Sequence, residues 1–185
     1  MKNYKYVVLF LVAFGNFLAC FTQYQTGSLS TQLINGFNLN SGQFARLTTA
    51  QMIPTIFLSI FIGSISDKLG SRKTILIGLI ITVLSLFLKL NSTSYVMLFI
   101  ACMGGGLTGS FLNTINSKII NSWFEPEELG IMMGIVQASL SLGQVIALAM
   151  SGGCTYNFIF KISFIMGLIL LILWIVFAKD SDREI

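Results

Sequence analysis

Polar side chains that could bind a small solute recur at helical spacing inside apolar segments of this 185-residue chain. Asn113 and Asn116 lie one helical turn apart, and glycines at 105 and 109 continue the same face at four-residue intervals. A carboxamide in hydrocarbon costs several kcal/mol unless it finds a hydrogen-bond partner. These side chains should therefore face protein or water rather than lipid.

Two interpretations of the polar positions are open. Each side chain can join two helices through a hydrogen bond, or the positions together can line a path for a polar solute. Hydrogen bonding is slightly favoured for each single residue, whereas the glycine-backed face favours a path for Asn113 with Asn116. The candidate path residues, which fall on three apolar segments, are Asn16, Gln23, Asn113, Asn116, Gln137 and Ser141.

The sequence lacks the groups that most enzyme classes need. It contains no His, which removes Ser-His dyads, His-ligated zinc and His-ligated haem. The three cysteines are widely spaced and are predicted to be buried apolar side chains. We predict no enzyme activity, no cofactor and no metal site. Because no basic cluster is interleaved with aromatic residues, nucleic acid is not a predicted partner.

Composition predicts an all-α membrane protein with the lipid bilayer as its surroundings. Apolar residues make up 55% of the chain and charged residues only 10%, whereas soluble domains carry about 25% charged residues. Six segments are long enough to cross a bilayer as helices, and they form one six-helix domain over 1–185. Pro54 interrupts the second segment, and 26–41 is predicted to be a polar loop. The predicted spans are 5–26, 45–66, 73–90, 95–119, 130–151 and 157–178.

The basic residues predict how the chain is oriented. If the N-terminus is cytoplasmic, eight of the eleven Lys and Arg residues and all seven acidic residues lie in cytoplasmic segments. This excess agrees with the positive-inside rule, and an even number of spans then places both termini in the cytoplasm. The cytoplasmic residues are Lys2, Lys5, Lys68, Arg72, Lys73, Lys118, Lys179 and Arg183, and the outer ones are Arg46, Lys89 and Lys161.

A short charged turn between the second and third spans is the most specific motif. The segment 63–73 reads GSISDKLGSRK, and a connection this short forces its flanking helices to run antiparallel. It resembles the loop signature of the major facilitator superfamily, G-x-[LI]-[AS]-D-[RK]-x-G-x-[RK]-[RK]. A second segment, 123–134, resembles the W-F-x-x-x-E-[RK]-G-x-x-x-G connector between helices 4 and 5 of the same family, with Leu129 in place of the usual basic residue.

The resemblance covers nearly the whole chain, but it matches only the N-terminal six-helix half of a twelve-span fold. It implies that helices 1 and 4 line a central cavity. It also implies that Asp67, with Arg72 and Lys73, forms a latch to a second half. The alternative is that the glycines only shape the turn while the charges fix orientation. The latch-loop residues are Gly63, Asp67, Lys68, Gly70, Arg72 and Lys73.

The resemblance implies secondary transport of a small polar or anionic solute by alternating access. A second six-helix half would come from a separate chain, a second copy or a lost portion of the gene. The alternative is a non-transporting membrane interaction protein or an inert truncated product. Arg46 and Lys161 give either a positive outer vestibule or ordinary snorkelling cations. The compact, prokaryotic-like chain predicts a bacterial cytoplasmic (inner) membrane location.

Overall fold

A computed structural model describes residues 4–150 and 153–178 of the chain, with the backbone alone at Ile60. Five of its helices are long and apolar enough to cross a membrane, and a bent pair of helices adds a sixth span. Within the described residues there is no strand, which confirms the predicted all-α fold. The helices are α1 Tyr4–Ser28, α2 Ser30–Gly36, α3 Ser41–Ala50, α4 Met52–Leu69, α5 Ser71–Leu90, α6 Tyr95–Trp123, α7 Leu129–Met150 and α8 Tyr156–Phe177.

Helices α3 and α4 form the bent span, and Pro54 explains the interruption between them. Proline has no backbone N–H, and its ring crowds the carbonyl four residues earlier, here that of Ala50. Regular helix accordingly stops at Gln51, and Pro54 occupies the first turn of α4, where intrahelical donors are not needed. Segments Ser41–Ser59 and Phe61–Leu69 enclose an angle of 54°. Regular helix thus breaks at Gln51, beside Pro54 as expected, whereas the 54° bend lies at position 60, six residues further along the chain.

The segment 26–41 is mostly helical, so the predicted polar loop was wrong. Helix α1 continues to Ser28, and α2 follows after one residue. Leu29 and Leu33, one helical turn apart, are both fully buried in a cluster with Phe160. The side chain of Gln32 ties α2 to the start of α8 by donating to the Cys154 carbonyl at 3.0 Å and accepting from the Tyr156 amide. This packed apolar face outweighs the polar composition of the segment.

The bundle has two ends, which we name after residues that lie there. The Gly70 end holds the starts of α1 and α5, the connection from α6 to α7 and the end of α8. The Asn40 end holds α2, the start of α3 and the turns from α5 to α6 and from α7 to α8. At Asn40, a capping box with Gln43 starts α3 four residues before the predicted span. Helix α1 packs against α6, α7 and α8, and α5 packs against α6 and α8.

The α4–α5 turn consists of a single residue, Gly70. Its backbone angles are φ 81° and ψ 155°, a region that essentially only glycine adopts. The Gly70 amide donates to the Ser66 carbonyl at 3.0 Å and so closes α4. The turn thus has the geometry that the sequence motif predicts, and any side chain at this position would strain the connection.

Lys5 and Glu128 connect two chain segments at the Gly70 end. The Lys5 ammonium donates to both carboxylate oxygens of Glu128 at 2.7 Å, and it lies 5.1 Å from the ring centre of Phe124. The hydrogen bond from Lys5 holds the pKa of Glu128 below its usual value. Glu128 closes a turn over 125–128 that precedes α7. This ion pair therefore ties the start of α1 to the connector with the family-like motif.

Candidate functional site

A cleft of about 260 Å³ opens between α1, the α3–α4 interruption and α6. Its wall combines glycines and Asn113 of α6 with amide, hydroxyl and apolar side chains of the other helices. Because glycine has no side chain, the glycines at 105, 106 and 109 leave space along α6. The lining residues are Ala19, Gln23, Gln51, Met52, Thr55, Ile56, Gly105, Gly106, Gly109 and Asn113.

Two of the predicted path residues line this cleft. Gln23 of α1 and Asn113 of α6 are both exposed and face the cleft from opposite walls. They lie on the two helices that the family resemblance assigned to a central cavity. Gly105 and Gly109 precede Asn113 along the same wall, as the four-residue spacing predicts. The carboxamides of Gln23 and Asn113 can both donate to and accept from a polar solute.

Asn16 and Asn116, by contrast, bind each other between α1 and α6. The Asn16 amide nitrogen donates to Asn116 Oδ1 at 3.0 Å, and the Asn116 amide nitrogen donates to Asn16 Oδ1 at 2.8 Å. Asn16 is fully buried and also donates to the Val12 carbonyl. This reciprocal pair satisfies both amides inside the bundle. The geometry is that of interhelical hydrogen bonding beneath the cleft.

A double-mutant cycle on this pair should give a positive coupling energy. Asn16→Leu or Asn116→Leu alone leaves the remaining carboxamide buried without its partner, whereas the double substitution removes both polar groups. We expect a coupling of about 0.6 to 1.7 kcal/mol, from the average to the maximum measured for hydrogen bonds between membrane helices. The free energies of unfolding of the four proteins in detergent micelles measure it. Strictly additive losses would contradict a direct bond.

The predicted path residues of α7 lie elsewhere. Gln137 and Ser141 are exposed, and neither residue lines the cleft. The Ser141 hydroxyl donates to the Gln137 carbonyl within its own helix. A path that includes them would need the exposed face of α7 to be covered by another part of a protein. They stay predictions.

Sequence reasoning missed a polar network behind the cleft wall. The Thr26 hydroxyl oxygen accepts from Gln51 Nε2 at 3.0 Å and from Lys89 Nζ at 2.8 Å. Lys89 was counted with the outer cations, yet only 4% of it is exposed. The sequence did not single out Gln51 either. This residue lies three positions before Pro54, where regular helix is interrupted. Nothing in local spacing indicates that these residues meet.

The latch-loop residues surround the Gly70 turn at the Gly70 end. Asp67 forms an ion pair of 3.0 Å with Lys118 of α6, with the two side chains 75% and 39% exposed. Lys118 also donates to the Ser66 carbonyl at 3.3 Å. An exposed pair of this kind contributes roughly 0–1 kcal/mol. Gly63 faces α6, where an added Cβ would lie 4.0 Å from Thr114, and Lys68 is exposed.

Arg72 and Lys73 line a second cleft, between the start of α5 and the end of α8. This cleft measures about 240 Å³, and its apolar walls come from Leu76, Trp174 and Ile175. The Trp174 indole donates to the Arg72 carbonyl at 3.2 Å and so fixes the start of α5 against α8. Arg72 and Lys73 therefore lie beside Trp174, where α5 meets α8, at the same end of the bundle as Asp67.

The comparisons with known proteins agree with the motifs and the fold. The sequence model of the Major Facilitator Superfamily matches residues 9–185. The chain belongs to that family. A hexuronate transporter of Bacillus subtilis is 26% identical over 129 residues, 67% of this chain and 31% of the relative. A riboflavin transporter of Clostridioides difficile is 24% identical over 177 residues, 94% of this chain and 39% of the relative.

A crystal structure shows the same helical arrangement. It is that of a bacterial homologue of the human lysosomal transporter Spinster, in an inward-facing and unoccupied conformation. It superimposes with a TM-score of 0.85 at 16% identity and covers 99% of this chain and 45% of that chain. This similarity establishes the fold. The chain thus spans less than half the length of each of these three proteins.

Proposed function

We propose that this chain is the first six-helix half of an alternating-access carrier for a small polar or anionic solute. The observation that carries the proposal is the cleft between α1, α4 and α6, because the exposed carboxamides of Gln23 and Asn113 line it together with glycines of α6. In a bilayer such a face is unfavourable against lipid. A second six-helix unit opposite it would enclose a polar path. Membership of the family supports this reading.

The solute class follows from the cleft and the relatives. The cleft offers neutral amide and hydroxyl groups, and the described part of its lining contains no carboxylate. The relatives are named for hexuronate and for riboflavin, both of which are small and polar. Hexuronate is a carboxylate anion. The basic residues Arg46 and Lys161, both exposed near the Asn40 end, would attract an anion to this side.

The Gly70 end would face the cytoplasm of a bacterium, with the chain in the inner membrane. Five of the eight basic residues that the structure describes lie at this end, and the positive-inside rule favours the cytoplasm for such segments. Both termini would then be cytoplasmic, although 179–185 lie outside the described residues. The Asn40 end, with its uncharged α2, would face outward.

The second half would be a separate chain, a second copy or a further part of the same polypeptide. A cysteine at Gln137, on the exposed polar face of α7, distinguishes the second copy from the other two. In a background without the native cysteines, Gln137→Cys should give oxidative dimers if two copies pair through this face. Only monomers would reject self-pairing through α7.

Asp67 is proposed to act as the latch toward the second half. Its carboxylate is largely exposed and held only by a weak surface ion pair with Lys118, so it can exchange that partner for another at little cost. Arg72 and Lys73 would support the same contact from the start of α5. The alternative, in which these charges only fix orientation, requires no exchange of partners.

We expect Asp67→Ala to lower uptake at least several-fold while membrane insertion stays intact. Transport is measured as uptake of radiolabelled glucuronate and riboflavin into proteoliposomes that contain the full chain. Membrane insertion is measured as the yield of folded protein. Glu127→Ala removes another exposed carboxylate at the same end and should leave uptake unchanged. Unchanged uptake in Asp67→Ala would contradict the latch.

The second candidate is a non-transporting membrane interaction protein or an inert product that keeps the fold. Specific, saturable uptake by liposomes that contain only this chain would reject the inert form. If liposomes that contain the chain take up neither glucuronate nor riboflavin, with or without added membranes that could supply a second half, the inert form is favoured.

A further inference from the structure

Lys89 is a buried lysine that has no carboxylate partner among the residues that the structure describes. It is the penultimate residue of α5, and its ammonium donates to Thr26 Oγ1 at 2.8 Å and lies 4.8 Å from the ring centre of Phe160. An ammonium has three donors, and the described residues provide one hydrogen-bond acceptor for them. The ion pairs of the described chain join other residues, at the opposite end of the bundle. A buried charge without a counter-charge is costly.

The neighbouring groups add further donors. Gln25, next to Thr26 in α1, is fully buried, and its Oε1 accepts from the Ser163 hydroxyl at 2.7 Å. Its amide nitrogen has no hydrogen-bond partner within the described part of the chain. Orphaned buried donors are rare in folded proteins. Among the described residues, the region around the end of α1 therefore contains the Lys89 ammonium, with two of its three donors unmatched, and an amide group of Gln25 that is only half satisfied.

This donor-rich region is connected to the cleft through Gln51. Thr26 Oγ1 accepts from both Lys89 Nζ and Gln51 Nε2, so the separation of the two nitrogens is at most the sum of two hydrogen-bond lengths. Gln51 also lines the cleft. The positive charge therefore lies one side chain behind the cleft wall. Because Lys89 is buried, water screens its charge less than that of an exposed lysine, and the charge can act on a solute in the cleft.

We propose that the part of the cleft next to Gln51 binds an oxyanion and that Lys89 supplies the charge that selects it. The ligand is a small carboxylate, such as that of a sugar acid, or an inorganic oxyanion, since both carry negative oxygens that the Lys89 charge attracts and that the amide of Gln51 in the cleft wall can bind. Lys89 acts as a specificity-determining residue through Thr26 and Gln51. The inference names the solute class and so rests on the proposed function.

The test measures anion-dependent stabilisation of the purified full chain. A ligand that binds the folded state raises the unfolding temperature with its concentration. Glucuronate and nitrate, titrated at constant ionic strength, should raise the unfolding temperature, whereas neutral glucose should not. A response to glucuronate alone assigns the site to organic carboxylates, and a response to both assigns it to oxyanions in general. No response to either anion would overturn the proposal.

Variants identify the residue responsible. Lys89→Gln should weaken the anion response at least tenfold, and Lys89→Arg, which keeps the charge, should retain it. Lys68→Gln removes an exposed lysine at the opposite, Gly70 end of the bundle and serves as the control with an unchanged anion response. If Lys89→Gln does not fold, Lys89→Met, which keeps the apolar stem against Phe160, replaces it. An unchanged anion response in Lys89→Gln or Lys89→Met would overturn the proposal and leave Lys89 a packing cation at a helix end.

Binding and uptake separate this inference from the proposed function. Anion binding that depends on Lys89 in a chain that transports nothing supports the site and refutes transport by the chain. Uptake of riboflavin that is equal in the wild-type chain and Lys89→Gln, without any anion binding, supports transport and refutes the site.

Discussion

Gly143→Ala should lower the free energy of unfolding by roughly 1–3 kcal/mol, the usual cost of overpacking a close contact. A Cβ built at Gly143 in α7 would lie 2.3 Å from the Phe17 carbonyl oxygen of α1 and 3.2 Å from the Phe21 amide nitrogen. Both are backbone atoms, so no rotamer change relieves the clash and the two helices must separate. The net loss already includes the helix-propensity gain of alanine, about 1 kcal/mol.

Gly134→Ala is the matched control in the same helix. Nothing lies within 4 Å of a Cβ at Gly134, so only the propensity gain remains, and we expect unchanged or slightly higher stability. Denaturant unfolding in micelles, followed by the fluorescence of Trp123 and Trp174, measures both variants. Equal stability of Gly143→Ala and Gly134→Ala would contradict the close approach of α1 and α7.

Gly106→Ala should be at least as damaging, because it affects the wall of the cleft. A Cβ at Gly106 would lie 2.0 Å from the Gln51 carbonyl oxygen and 2.9 Å from its Cα. The Gln51 carbonyl lies at the α3–α4 interruption, so the clash pushes α6 away from the bent span. Thr55, whose hydroxyl bridges toward the carbonyls of Gln51 and Gly106 at 3.4 Å, would lose this contact. We expect a loss of about 2 kcal/mol or more.

The neighbouring glycine provides the control for this prediction. Gly105 also lines the cleft, yet nothing lies within 4 Å of a Cβ placed there. Gly105→Ala should therefore fold with normal or slightly increased stability. The same unfolding assay compares the two variants. If Gly105→Ala is destabilised as strongly as Gly106→Ala, the cleft is not open at Gly105 and the description of its wall is wrong.

The membrane fold could be predicted because its causes are local. Apolar length, the turn at Gly70 and the interruption by Pro54 each depend on a few adjacent residues, and each has its expected structural consequence. Helix α2 could not be predicted in the same way. Its polar composition hides the fact that Leu29 and Leu33 pack into a cluster formed by distant parts of the chain. Tertiary burial decides the structure of such a segment.

The candidate site could be predicted only in part, for a related reason. Helical spacing placed Gly105, Gly109 and Asn113 on one face, and they share the cleft wall. Spacing within one helix does not indicate which residue of another helix lies opposite. The partnership of Asn16 with Asn116, a hundred positions apart, therefore escaped prediction. The burial of Lys89 escaped it as well, since a lysine near a helix end normally extends to the interface.

The central claim, that the face around Asn113 lines a water-filled path, is tested most directly by thiol accessibility. Asn113→Cys is introduced into a chain whose native cysteines are replaced, and membranes are treated with a membrane-impermeant thiol reagent. Ile172→Cys, on the exposed apolar surface of α8, is the control. We predict rapid labelling at position 113 and none at position 172. Labelling at position 113 that is no faster than at position 172 would mean that this face contacts lipid, and it would contradict the account.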